Sequence, residues 1–147
     1  MSKLSKDTKS KISNKTVVVE FNNETIINAV NEWMQNAEKA ETKYGHISKW
    51  NTSQVTTMKR LFFKATLFNE PIFDWNVSNV TDMSYMFSNA TTFNQSIGNW
   101  DLSRVTTTKY MFSNTNAFNQ PIGEWDVSNV RNMESMFSAS VFNQLLN

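Results

Sequence analysis

Four tryptophans stand 25 residues apart, and this spacing constrains the fold more than any other feature of the chain: Trp50, Trp75, Trp100 and Trp125. Other residue types recur in the same register. An Ile lies three residues before each Trp, a Val lies five after it and a Phe lies twelve after it. A Phe-Asn pair follows in each unit, and the last pair, Phe142-Asn143, arrives one residue early. A fixed period of this length indicates units that bury their apolar faces against one another.

Within one unit, the apolar spacing predicts a short helix. Val80, Met83, Met86 and Ala90 follow one another at intervals of three or four residues, and Asp82 stands where a helix N-cap is expected. The segment around each Trp is typical of a short strand. We therefore predict an α/β repeat fold, a solenoid of about four 25-residue coils, each made of a strand, a turn and a short helix.

The region before the repeats predicts a cap on the first coil. We expect a strand over Thr16–Phe21 and a helix that Asn23 caps and that runs to about Glu41, with one apolar face. Residues 1–15 hold five lysines against a single aspartate and are expected to form a basic, disordered leader. The predicted organisation is thus a leader at 1–15, a cap at 16–49 and a solenoid at 50–147.

The repeat resembles that of a known family. The residues that support the resemblance are Phe118-Asn119-Gln120-Pro121-Ile122-Gly123-Glu124-Trp125-Asp126-Val127-Ser128-Asn129-Val130, followed by Met133 and Met136-Phe137. This unit resembles the mycoplasma-type lipoprotein 25-residue repeat of the BspA-like leucine-rich-repeat surface proteins, whose relatives also occur in protists and large DNA viruses. The resemblance covers residues 44–147. It implies a leucine-rich-repeat-like solenoid that serves adhesion or protein–protein contact and has no catalytic residues.

Catalytic and metal chemistry find little support in the residue types. The chain has no cysteine, one histidine (His46) and three glycines, so thiolate sites and glycine-rich phosphate loops are excluded. Asp101 and Asp126 occupy the same position in consecutive repeats and could share a cation, but we expect each carboxylate to accept hydrogen bonds from its own turn. The sequence therefore predicts a chain that is not an enzyme, with no catalytic residue, no metal ligand and no cofactor.

The candidate partner-binding residues are those that break the period or that end the last coil. Phe63 and Phe73 stand where other repeats have Ser or Gly, and Tyr85 and Tyr110 share one repeat position. Aromatic side chains at variable, outward positions are typical of binding hot spots. Packing of Phe63 and Phe73 against the cap is the alternative interpretation. The C-terminal pair Leu145 and Leu146 is expected to leave an apolar surface on the last coil.

These observations predict a noncatalytic protein-interaction module with a protein partner. The alternative is a structural component of a surface layer or virion that self-associates through the uncapped C-terminal coil. Nucleic-acid binding is disfavoured by a net charge of only +1. The chain shows no signal peptide, no membrane span and no lipid-accepting Cys, which favours an intracellular or virion-associated location over secretion.

Overall fold

A computed structural model describes residues 19–147. Its regular elements lie at the N-terminal side: helix α1 at Asn23–Gln35, helix α2 at Ala37–Tyr44 and one 3₁₀ turn at Ile47–Lys49. The remaining described residues form turns and four isolated parallel bridges, Glu20 with Asn51, Thr57 with Asp82, Asp82 with Thr107, and Thr107 with Asn132. No helix in this part of the chain is long and apolar enough to cross a membrane.

The predicted leucine-rich-repeat-like α/β solenoid is wrong. Residues 50–147 contain neither the short helix nor the strand that each coil was expected to have. The N-cap prediction illustrates the error: Asp82 Oδ1 does accept the Ser84 N–H at 2.8 Å, but no helix follows. In the turns that follow, two kinds of N–H group alternate along the chain. One kind donates to the carbonyl three residues back, as from Met86 to Met83 and from Ser88 to Tyr85, and the other kind donates to a neighbouring repeat.

Helical structure is present where the N-terminal helix was predicted, but its N-cap and its continuity differ from the prediction. Asn22, not Asn23, is the N-cap of α1, and its Oδ1 accepts the N–H groups of Glu24 and Thr25. The helix breaks at Asn36, whose side chain caps α2 by accepting the Lys39 N–H at 3.0 Å. Residues 19–21 of the predicted strand contribute one isolated bridge at Glu20. The rest of that strand and the leader at 1–15 lie outside the described residues.

The core joins the two helices to the repeats. Ile26, Ala29, Val30 and Trp33 of α1 are buried, and the Trp33 ring meets the Trp50 ring edge-on at 5.9 Å. Residues one period apart then lie beside one another. The rings of Phe62, Phe87, Phe112 and Phe137 stack with centroids 5.5–5.7 Å apart. Burial of these large side chains is the main favourable contribution to the stability of such a core.

Most backbone hydrogen bonds between successive repeats run from the earlier repeat to the later one, and a single bond per pair runs back, from the N–H groups of Thr81, Thr106 and Arg131. We number the sequence repeats as repeat 1 (50–74), repeat 2 (75–99), repeat 3 (100–124) and repeat 4 (125–147). Every second N–H of one repeat donates to the next repeat: those of repeat 1 lie at Met58, Arg60, Phe62 and Lys64, and their acceptors are the carbonyls of Asp82, Ser84, Met86 and Ser88. The same four-bond pattern joins repeats 2 and 3, and repeats 3 and 4. An N–H used in this way is not available to a helix, which explains the failure of the helix prediction.

Side chains reinforce these contacts at fixed positions. Asn69 Oδ1 accepts the Asn94 N–H at 2.9 Å, and Asn94 Oδ1 accepts the Asn119 N–H at 3.0 Å. The asparagine side chains thus pair with the backbone of the following repeat. The indole N–H of Trp100 likewise donates to the Ile72 carbonyl at 3.2 Å. Polar side chains beside the core thus bond to backbone groups of a neighbouring repeat.

Candidate functional site

Three of the predicted partner-binding residues lie together on one side of the molecule. The Tyr85 and Tyr110 rings stack with centroids 5.0 Å apart and an interplanar angle of 4°. The Phe63 ring meets the Tyr85 ring edge-on at 6.5 Å. All three side chains are half-buried, so each retains solvent-accessible surface. Together with Arg60 they form what we call the aromatic ridge, which crosses repeats 1, 2 and 3.

Arg60 occupies the first position of the ridge and was not predicted. Its guanidinium carbon lies 5.0 Å from the Phe63 ring centroid and 5.0 Å from that of Tyr85. Lys64 Nζ lies 5.3 Å from the Phe63 centroid. Cations at such distances are attracted by the electron-rich ring face. A sequence signal existed, because Arg60 stands in the same repeat position as Tyr85 and Tyr110.

The backbone at the ridge position is left-handed in every repeat. The φ angles are 59° at Arg60, 59° at Tyr85, 53° at Tyr110 and 52° at Ser135. A side chain in this region costs roughly 1–2 kcal/mol relative to the right-handed conformation. In repeats 1–3 the N–H at this position donates to the next repeat, which helps to hold the local conformation. The ridge side chains of repeats 1–3 therefore project from backbone that is hydrogen-bonded to the following repeat.

An ion pair ends the ridge at repeat 4. Lys109 Nζ lies 2.7 Å from Glu134 Oε2 and 5.5 Å from the Tyr110 ring centroid, and the Tyr110 hydroxyl lies 3.4 Å from Glu134 Oε1. The Lys109 ammonium lowers the pKa of Glu134, and Glu134 in turn raises the pKa of Lys109. Both groups are solvent-exposed enough that this pair contributes little to stability. At this end of the ridge, the positive charge of Lys109 is therefore already paired with Glu134.

The other predicted binding residues lie apart from the ridge. Phe73 is 46% exposed and forms no aromatic pair within the described residues. Leu145 and Leu146 are 88% and 60% exposed and lie on repeat 4. Met133 and Val127 are also exposed there, although their equivalents in earlier repeats are buried. The six predicted residues therefore divide into a ridge, an isolated Phe73 and an apolar end surface.

The aspartates that could have shared a cation act in local turns. Asp101 Oδ1 accepts the Ser103 N–H at 2.9 Å, and Asp126 Oδ1 accepts the Ser128 N–H at 3.0 Å. The serine hydroxyl, followed by the serine N–H, lowers the pKa of each carboxyl. No group of three or more potential metal ligands occurs among residues 19–147. His46 similarly serves a turn, with Nδ1 accepting the Ser48 N–H at 3.3 Å.

Comparison with protein families adds one finding. The family model described as "Mycoplasma protein of unknown function, DUF285" matches residues 18–147. The chain belongs to the DUF285 family. The match spans both helices and all four repeats of this DUF285 protein, so the ridge lies within the family region. No curated protein and no solved structure matches the chain.

Proposed function

We propose that this DUF285 protein is a noncatalytic protein-interaction module that binds its partner through the aromatic ridge. The observation that carries the proposal is the contact series Arg60, Phe63, Tyr85 and Tyr110, in which each member contacts the next along three repeats. Aromatic and arginine side chains are enriched in binding hot spots because they supply large contact areas with few rotatable bonds. We further propose a relationship to the BspA-like surface proteins, supported by the 25-residue motif.

The packing alternative is weakened by the geometry of Phe63. Its aromatic contact among the described residues is with Tyr85 of repeat 2, and its cationic neighbours are Arg60 and Lys64. Helix α1 instead packs against Trp50 through Trp33. Phe63 therefore belongs to the outer surface of the repeats and is available for a partner.

The test compares partner binding by ridge and off-ridge variants. A partner captured from the native source would be measured against the full chain, against Tyr85→Ser/Tyr110→Ser and against Leu67→Ser. Serine occupies the ridge position naturally at Ser135, with the same left-handed backbone, so the double variant is compatible with the fold. Leu67 is 85% exposed and lies outside the ridge, which makes it a matched control for loss of an exposed apolar side chain.

We expect the ridge variant to bind at least about tenfold more weakly and the control to bind within about twofold of the original chain. Equal affinities for all three chains would contradict the proposal. Catalytic turnover by the chain that persists in the ridge variant would contradict the noncatalytic assignment.

A second candidate function is a structural component of a surface layer or virion that self-associates through repeat 4. It is favoured by the exposed Met133, Leu145 and Leu146 at that end. The N–H groups of Met133, Ser135, Phe137 and Ala139 also find no acceptor within residues 19–147, whereas their equivalents in repeats 1–3 do. Sedimentation equilibrium at increasing concentration tests this candidate. A strictly monomeric chain at every concentration would rule it out.

A further inference from the structure

We infer that the repeat 1 end of the aromatic ridge binds an acidic peptide in an extended conformation. The inference rests on the proposed interaction function and specifies the chemistry of the partner. Its residues are Arg60 and Lys64, which supply the charge, and the backbone carbonyls of Lys59, Leu61 and Phe63, which supply hydrogen-bond acceptors.

The first observation is an uncompensated pair of cations. Arg60 and Lys64 both lie within 5.3 Å of the Phe63 ring centroid, and neither forms a salt bridge within the described residues. The lysines at 43, 49 and 109, in contrast, each have a carboxylate partner. Two cations that share one ring repel each other, and a bound carboxylate would relieve that repulsion. An anionic group is therefore the complementary ligand.

The second observation is an open row of backbone acceptors at the same place. The carbonyls of Ser84, Met86 and Ser88 in repeat 2 each accept an N–H from repeat 1. The equivalent carbonyls in repeat 1 belong to Lys59, Leu61 and Phe63, and they accept no hydrogen bond within residues 19–147. The N-terminal end of α1 reaches this edge only at Thr56 and Thr57, through Asn23. Acceptors at every second residue match the N–H spacing of an extended polypeptide.

These two observations together favour a peptide over other polyanions. Nucleic acids and acidic polysaccharides offer negative charge but no regular row of N–H donors. A nucleic acid would also need cations along the whole ridge, whereas the far end carries Glu134, already paired with Lys109. Residues 16–147 contain nine Lys and Arg against twelve Asp and Glu, so this part of the chain carries a net charge of 9 − 12 = −3 and disfavours long polyanions. A short acidic peptide can contact Arg60 and Lys64 without approaching the acidic residues elsewhere in the chain.

The experiment uses the full chain and a labelled eight-residue peptide of alternating Glu and Val, with binding followed by fluorescence anisotropy at low salt. Two matched peptides isolate the two contributions. The Gln-Val peptide keeps the shape and removes the charge. A Glu-Val peptide with N-methyl groups on alternate residues keeps the charge and removes the N–H donors. The matched protein variants are Arg60→Gln/Lys64→Gln and the charge-equivalent control Lys39→Gln/Arg131→Gln.

We expect saturable binding of the Glu-Val peptide, and binding about tenfold weaker or more for each of the two altered peptides and for the Arg60→Gln/Lys64→Gln chain. The control chain should bind within about twofold of the original. Unchanged near-ultraviolet circular dichroism would show that both variants remain folded.

The inference is overturned if the Glu-Val peptide does not bind, if the Gln-Val peptide binds equally well, or if both protein variants weaken binding to the same extent. Binding of an oligonucleotide or heparin in its place would overturn it as well. These outcomes are separable from failure of the proposed function, because a native partner could still depend on Tyr85 and Tyr110 when the acidic peptide fails.

Discussion

The aromatic rings of Tyr85 and Tyr110 lie parallel with centroids 5.0 Å apart, although 25 residues separate them in the sequence. Both residues have left-handed backbone angles, and the Tyr85 N–H donates to the Lys109 carbonyl at 2.9 Å. The stacked pair is thus the outer counterpart of the buried phenylalanine stacks. It shows that the period orders the surface of the molecule as well as the core.

The stacked tyrosines should be energetically coupled. In a double-mutant cycle with Tyr85→Ser and Tyr110→Ser, we expect a coupling of about 0.5–1 kcal/mol, because stacked rings contribute beyond the area that each one buries. Urea unfolding of the four chains measures it. Phe63 and Tyr110 do not contact each other, so Phe63→Ser and Tyr110→Ser should be additive. A coupling of the same size in both cycles would contradict the prediction.

Thr108 is expected to be a weak point of the core. It is fully buried, its Oγ1 has no hydrogen-bond partner within the described residues, and it lines a cavity of about 100 Å³ beside Met133 and Met136. Met58, Met83 and Met133 occupy this position in the other repeats. Thr108→Met should raise the free energy of unfolding by about 1–2 kcal/mol, since it removes an unsatisfied hydroxyl and fills space.

Thr108→Val separates these two effects. It removes the hydroxyl while keeping nearly the same volume, so we expect about 1 kcal/mol of stabilisation from the polar contribution alone. Thermal or urea unfolding checks both variants. A loss of stability in Thr108→Val would show that the hydroxyl has a partner after all.

Gly45 should be required for its backbone angles and not for its small size. It ends α2 with φ 76° and ψ 171°, a region open essentially only to glycine, and no atom lies within 4 Å of an added Cβ. Gly45→Ala should lower the free energy of unfolding by about 1–3 kcal/mol, as measured by urea denaturation. A loss below about 0.5 kcal/mol would indicate that the α2 terminus can relax.

Gly98, in contrast, should be required for its small size. A Cβ added there would lie 2.5 Å from the Pro121 carbonyl oxygen of the next repeat. Gly98→Ala should therefore push repeats 2 and 3 apart locally and cost about 1–3 kcal/mol in urea denaturation. The disturbance should be visible as altered amide chemical shifts near Pro121, and unchanged shifts there would contradict the steric explanation.

Acid should weaken the turns that Asp101 and Asp126 close. The serine hydroxyls and N–H groups lower the pKa of each carboxyl in the folded chain. The associated stabilisation is present above the unfolded pKa of about 3.9 and is lost as the pH falls through the lower folded value. The effect is small, because both carboxyls are exposed and screened by solvent.

Asp101→Asn/Asp126→Asn removes the titrating groups but keeps the Oδ1 acceptors, as Asn76 does naturally with Ser78. Between pH 5 and pH 2 the double variant should therefore lose less stability than the original chain in urea unfolding. Identical pH profiles would show that the turns do not depend on the charge.

The sequence predicted which residues meet far better than it predicted the local conformation. Residues in phase do lie together, as the Phe62–Phe87 stack and the Asn69–Asn94 hydrogen bond show. Spacing alone could not distinguish a helix from turns that close every three residues and send alternate N–H groups to a neighbour. Left-handed backbone at Arg60 and Tyr85 has no sequence signal, because neither residue type favours it.

The candidate site was only partly predicted, because the period shows which positions are in phase but not how their side chains are arranged. Phe63 and the pair Tyr85 and Tyr110 are separate departures from the period in the sequence, and the structure brings them together. Arg60 was not predicted, because the prediction rested on aromatic residues at variable positions and arginine is not aromatic. Whether a cation lies over a ring depends on side-chain geometry that the period does not encode.

The prevailing direction of the backbone hydrogen bonds between repeats gives residues 50–147 a net electric dipole. Because four of the five backbone N–H groups that join each pair of repeats point toward the later repeat, the bond dipoles do not cancel, and the positive end lies at repeat 4 and the negative end at repeat 1. Arg60 and Lys64 lie at the negative end, where the dipole interacts favourably with a cation. Inserting a whole 25-residue unit between existing repeats would lengthen the molecule and leave both poles unchanged, so evolution could vary the repeat number without redesigning either end.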